Sequence, residues 1–148
     1  MAKAQRAFVR TPCETCPYRM DARRFHWDRA EFEGVLAAEQ EMFGRIYNCH
    51  KQAELPKERQ GFCAGWLLDQ KKRNVPSIAL RLALWKDASA VAALKAVTAG
   101  GLKLFRSVAA MCRANGVTKA PASAFKSERR QDVEAIGRRL RDDMKASQ

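Results

Sequence analysis

Apolar positions recur at helical spacing through most of the chain, broken by short polar and glycine- or proline-bearing stretches. Asp28 with Glu31 three residues on has the spacing of a capping box, Asp standing where Ser or Thr is usual. The helix it opens would place Phe32, Val35 and Leu36 on one face and fade near Gln40. Met42–Cys49 is apolar and aromatic and reads as a short strand, followed by a polar surface loop over 51–61. Cys63 begins a predicted helix through Trp66, Leu67 and Leu68, closing in Lys71-Lys72-Arg73, where cations suit a helix C-terminus. Asn74-Val75-Pro76-Ser77 breaks the pattern and offers Ser77 as an N-cap.

Ile78–Trp85 alternates in a way that also suits a buried strand; its Ala and Leu content predicts a helix. A further helix is expected over 88–98, ending at Gly100-Gly101. The next spans 102–115, with Leu102, Phe105, Ala109 and Cys112 as its stripe and Gly116 as its stop. After a connection over 117–126, a last helix over 127–145 sets Val133, Ile136, Leu140 and Met144 on one face.

Composition changes this picture in one respect. At 148 residues, 47% apolar and 30% charged, the chain has the make-up of one globular domain and not of a disordered segment. No apolar run approaches the ~18–20 residues of a membrane span, and the first residues lack the apolar core of a signal peptide. A cytoplasmic chain is expected. The net charge of +12 is more than folding requires. It points to an anionic partner, nucleic acid first and an acidic protein as the alternative. The candidate phosphate-binding residues are Arg19, Arg23, Arg24, Lys71, Lys72 and Arg73. Phe25 and Trp27 beside them have the chemistry to stack on bases, although core packing is the commoner fate of a tryptophan.

Four of the five cysteines form a frame: Cys13-x-x-Cys16, thirty-two residues, Cys49, thirteen residues, Cys63. A close pair holds two sulfurs on one turn, and two thiolates from distant chain complete a four-sulfur shell for one metal centre. Cys112 lies outside the frame and reads as a core thiol. His50 beside Cys49 is an alternative ligand, although packing or exposure is the commoner role for it and for His26. Five cysteines and no export signal argue against disulfides. Pro17 cannot supply the positive-φ turn of a zinc knuckle, and only one close pair is present. Both features favour [4Fe–4S] slightly over zinc. The expected fold is therefore mainly α: a flexible basic arm over 1–11, an irregular four-cysteine metal-bound region over 12–86, and a helical region of the same domain over 87–148.

The motifs Cys-x-x-Cys-Pro-Tyr-Arg, Cys49-His50 and Cys63-Ala64-Gly65 resemble a family of small uncharacterised phage and bacterial proteins, over roughly residues 11–85. The resemblance implies Cys13, Cys16, Cys49 and Cys63 as ligands, with Asn74 and Arg81 at family-like positions, and no established activity. The function expected is that of a small metal-binding accessory protein with a basic, regulatory nucleic-acid surface. The alternatives are an interaction module that inhibits a host or defence enzyme and, third, an Fe–S redox enzyme. Catalysis is the weaker class. A redox Cys-x-x-Cys lacks its βαβ setting here, and adjacent Cys49 and His50 on extended chain point apart.

Overall fold

Each helix begins where the local chemistry can satisfy its free amides. The computed structural model describes residues 8–120, and the last predicted helix lies outside them. Helix α1 is Arg29–Ala38, where the Glu31 carboxylate reaches back to accept from the Asp28 backbone N–H at 3.1 Å. Helix α2 is Ala64–Lys71 and starts on Cys63. Helix α3, Ile78–Lys86, is capped by Ser77, whose Oγ accepts from the Leu80 N–H. Helix α4, Ala88–Ala96, is capped in the same way by Asp87, and α5, Val108–Ala114, by Ser107. Gly116 ends α5 at φ 78°, with Gly116 N–H bonded to the Arg113 carbonyl and Val117 N–H to the Cys112 carbonyl. That pair of bonds satisfies two terminal carbonyls and folds Val117 back into the core.

The fold is mainly α, a small single domain, with no extended strand among the described residues. Helix α2 is the axis: Ala64, Gly65, Trp66, Leu67, Asp69 and Gln70 are all buried. It packs on α4, α4 on α3, and α1 on α5. Phe32, Leu67, Leu80, Met111 and Val117 fill the space between. Each such side chain is worth about 1.5–3 kcal/mol when fully buried. Buried Asp69 is paired with Arg73, and buried Gln70 accepts from the Ser77 N–H at 2.8 Å. Polar groups at the core edge thus fix the α2–α3 turn instead of costing desolvation.

Two short antiparallel bridges draw the loops onto this core. In one, the Met20 N–H bonds the Lys103 carbonyl and the Phe105 N–H the Tyr18 carbonyl, both at 2.9 Å. In the other, Cys49 N–H bonds the Gly61 carbonyl and Cys63 N–H the Tyr47 carbonyl, both at 2.8 Å. These bridges account for two departures from the expected elements. Residues 102–107 are not helical and α5 starts only at Val108, because the Phe105 N–H and the Lys103 carbonyl pair with 18–20 while the Leu102 N–H bonds the Ala99 carbonyl. The buried face of α5 is Val108, Met111 and Cys112, with Ala109 exposed. The expected strand over Met42–Cys49 shrinks to the bridge at Asn48, since Gly44 turns the chain at φ 68° and the Phe43 carbonyl is taken by Ala79 N–H.

The start of the chain differs as well. Phe8 and Val9 pack against the core and the Arg10 carbonyl accepts from Thr98 N–H, so the expected arm over 1–11 is anchored from residue 8. No helix among the described residues is long and apolar enough to cross a membrane.

Candidate metal centre and basic surface

The Cys-x-x-Cys segment is two consecutive turns. The Cys16 N–H bonds the Cys13 carbonyl at 3.0 Å, and the Arg19 N–H bonds the Cys16 carbonyl at 3.1 Å. Pro17 occupies the second position of the latter turn, where its fixed φ is pre-set. The bridge at Asn48 and Phe62 then sets Cys49 and Cys63 on the same side of their paired segments, since side chains one residue along point to the opposite face from Asn48 and Phe62.

The sulfurs meet at the N-terminus of α2. Cys16 Sγ lies 3.9 Å from Cys63 Sγ, and both are buried. Cys49, also buried, has Cys13 and Cys16 as electrostatic neighbours. Cys13 is half-buried, its Sγ 3.7 Å from Thr15 Oγ1. Gly65 makes this approach possible: a Cβ there would stand 2.5 Å from Cys16 Sγ and 2.7 Å from Tyr18 Cβ.

Backbone amides converge on the sulfurs in a repeated pattern. Cys16 accepts from the Tyr18 and Gly65 amides, Cys49 from Lys51, and Cys63 from Gly65 and Trp66. Three of the four thus accept from the amide two residues on, an arrangement that favours the negatively charged form. The bond with Cys63 pulls the Cys16 thiol below its ordinary value; the same bond and burial push Cys63 well above it, and burial raises Cys49.

Cations border the cluster. Arg19 donates to both Asp21 oxygens at 2.7 Å and to the Pro12 carbonyl at 3.4 Å; the bonds to Asp21 hold its guanidinium above its ordinary value, with Cys16 and Cys13 adding to the effect. Lys51 pairs with Glu14 and also feels Cys13 and Cys49.

The donor chemistry fits a thiophilic metal, and the fit is paired in form. Among the described residues no three His, Cys, Asp or Glu side chains stand together as a ready metal cage. Four thiolates at about 2.3 Å around one zinc lie about 3.8 Å apart, close to the Cys16–Cys63 separation. His50 is turned elsewhere: its ring stacks on Trp27 at 3.9 Å and its Nε2 lies 3.9 Å from a Glu31 oxygen. Trp27 in turn donates from Nε1 to the Thr15 carbonyl at 3.0 Å, tying the two cysteine loops together. His26 meets the edge of Trp27 and is exposed. Cys112 is fully buried, its thiol facing the Phe32 carbonyl and pushed up to about 11 by burial.

The six expected phosphate-binding residues separate into two groups. Arg19 is committed to Asp21 and the cysteine loop. Arg24 donates to the Met20 and Ala22 carbonyls and lies over the Phe105 ring at 4.8 Å. Lys72 Nζ bonds the Phe105 and Arg106 carbonyls, and Arg73 bridges Asp69 and Glu39. Arg23 and Lys71 are exposed with no side-chain partner among the described residues, as are Lys103 and Arg106, which the sequence reading did not single out. The packing roles of Gly65 and Asn115 were not foreseen either, and Trp27, expected to stack on bases or pack in the core, packs against His50. The Gly of Cys-Ala-Gly, two residues past a ligand, was the one legible signal among them.

The chain belongs to the DUF6283 family, described as a family of unknown function, whose model matches residues 8–130. The match takes in α3 to α5 as well as the cysteine frame. No curated protein and no solved structure matches the chain.

Proposed function

We propose that this member of the DUF6283 family is a small phage or bacterial accessory protein of the cytoplasm with one metal centre and a nucleic-acid surface. Cys13, Cys16, Cys49 and Cys63 are its metal ligands. The observation that carries the reading is the meeting of Cys16 and Cys63 at 3.9 Å over Gly65, with backbone amides aimed at the sulfurs. That separation suits one tetrahedral zinc better than a four-iron cluster, which spreads its thiolates farther. Pro17 ceases to count against zinc, because the amide that reaches Cys16 comes from Tyr18. A bound metal would neutralise the gathered thiolates and clip the two cysteine loops to Cys63 at the start of α2. Arg19 and Lys51 offset the remaining negative charge.

The nucleic-acid part rests on the +12 charge and on exposed cations near the cysteine frame and its bridged segment that have no side-chain partner among the described residues, Arg23, Lys71, Lys103 and Arg106. Anaerobically purified protein should carry one zinc per chain. Serine at any of the four ligands should remove the metal, and Cys112→Ser should keep it. Iron with sulfide would replace zinc by a cluster; absence of any metal ends the centre. Binding to DNA should weaken linearly in log K against log salt. Removing Arg23 and Lys71 together should shallow the slope by up to ~2, whereas Arg73→Ala should leave it nearly unchanged. No binding near ~50 mM salt ends the nucleic-acid reading.

One observation favours the protein-interaction alternative. Met42 and Val75 are each more than 60% exposed and line a cavity of about 320 Å³ between the end of α1 and the start of α3. An exposed apolar rim is a usual mark of a protein contact. Co-purification of one defined protein, without nucleic-acid affinity, would select that reading.

A further inference from the structure

Phe25 combines features that ordinary packing does not explain. It is the one described non-glycine residue with positive φ, at 57°, and its side chain is 71% exposed. A bulky L-residue is rarely found in that region without a reason. The conformation is held by a dedicated partner. The Phe25 N–H donates to Asn115 Oδ1 at 3.0 Å, and Asn115 is itself buried, its Nδ2 bonded to the Met111 carbonyl at 2.9 Å. The end of α5 therefore fixes the backbone while the aromatic ring is left in solvent. One edge of the ring passes Gly116, where an added Cβ would make only ordinary contact at 3.5 Å.

The surroundings are cationic. Arg23 precedes it unpaired and exposed. Arg24 is turned back over Phe105, and the bridged segment of Phe105 carries exposed Lys103 and Arg106 beside it. The bridge between 18–20 and 103–105 holds these two basic segments side by side. Trp27, the other candidate stacker, is used inside the protein against His50 and Thr15. That leaves Phe25 as the free aromatic of the cluster.

We infer that Phe25 is the stacking platform of a single-stranded nucleic-acid site, with Arg23, Lys103 and Arg106 following the phosphates. The inference rests on the nucleic-acid reading above and specifies it. A rigid exposed ring among cations takes an unpaired base of any sequence, and it has no use for a base locked in a duplex. Such a site discriminates strandedness and not sequence.

The test uses the full chain and a fluorescently labelled oligo-dT, with a duplex of equal length as the second probe. Phe25→Asn tolerates positive φ and keeps the backbone geometry, so it removes the ring alone. It should weaken oligo-dT binding roughly 5- to 150-fold, the worth of one stacked base. Its salt slope should stay unchanged, because no phosphate contact is lost. Duplex affinity should barely move, and Phe25→Tyr should restore single-strand binding. Thermal unfolding of Phe25→Asn should be at or above that of the wild type, which separates a binding defect from a folding one. Should that variant unfold early, Phe25→Gly serves in its place. Wild-type oligo-dT affinity in both ring-less variants overturns the platform alone, leaving the basic surface standing. Equal loss on both probes also overturns it, by assigning Phe25 a structural role. Failure of the wild type to bind either probe with its metal in place removes the nucleic-acid reading and this inference together.

Discussion

The two halves of the described chain are stabilised by different means. Around the cysteines, residues 11–28 and 47–63 have no α-helix of their own and are joined by turns, two bridges and sulfur contacts. In α3 to α5 the helices are capped, and Leu80, Val108, Met111 and Cys112 are sealed from solvent. On the proposed reading, the first half depends on one thiol cluster that a metal would neutralise. The second depends on apolar area, spread over many side chains. Helix α2 belongs to both, since Cys63 starts it and Leu67 lies in the core. Loss of metal should therefore be local, and loss of core should be global.

The largest expected effect breaks that comparison on the metal side. Structural zinc sites contribute about 10–16 kcal/mol of apparent binding energy in small peptides. Chelation at neutral pH should release the cysteine loops to hydrogen exchange and proteolysis while amides in α3 to α5 stay protected. Uniform exchange through the whole chain after chelation would show the two halves to be one cooperative unit. Leu80→Ala is the opposite cut. Leu80 is fully buried, so truncation should cost about 2–5 kcal/mol in chemical denaturation while metal content stays at the wild-type level.

A smaller effect comes from Gly65, which touches both halves without being a ligand. Alanine there would push a methyl to 2.5 Å from Cys16 Sγ and 2.7 Å from Tyr18 Cβ. Overpacking of this sort costs about 1–3 kcal/mol. The expected result is weaker metal retention against a competing chelator, with α3 to α5 unperturbed. Gly34→Ala is the control, because a Cβ there meets nothing within 4 Å. Equal metal affinity in both variants would mean that the sulfurs do not need the close approach at Gly65.

The same contrast governs what could be read from residues alone. Helices α1, α3 and α4 were legible because caps and apolar spacing are local signals, and Asp28, Ser77 and the turn after Gly100 are in plain view. Gly116 was legible for the same reason. The start of α5 was not: Leu102 and Phe105 carry helical spacing, yet their segment is taken by pairing with residues 18–20, some eighty positions away. A partner at that distance leaves no trace in a local pattern. The cysteine frame was visible by spacing. What each cation does was not, because Arg19, Arg24, Lys72 and Arg73 find carbonyls and carboxylates that only the fold brings near. Phe25 and Asn115 are ninety residues apart, so their bond was equally hidden.

The finest test of the comparison uses the fifth thiol. Cys112 belongs to the helical half, and burial pushes it up to about 11, above the usual thiol value of about 8.5. A raised folded value means that the native state favours the neutral thiol. Its contribution to stability is full below about 8.5 and is lost as pH rises through about 11. Cys112→Ala should therefore flatten part of the alkaline fall in stability while changing nothing in its slope below pH ~8. Thiol alkylation gives the complementary readout. At pH ~8 the metal should protect Cys13, Cys16, Cys49 and Cys63, and chelation should make those four reactive. Cys112 should react only when denaturant unfolds the chain, since a buried neutral thiol is a poor nucleophile. Labelling of Cys112 on chelation alone would show that α5 opens with the cysteine loops, and the boundary between the halves would have to be moved past α1, on which α5 packs.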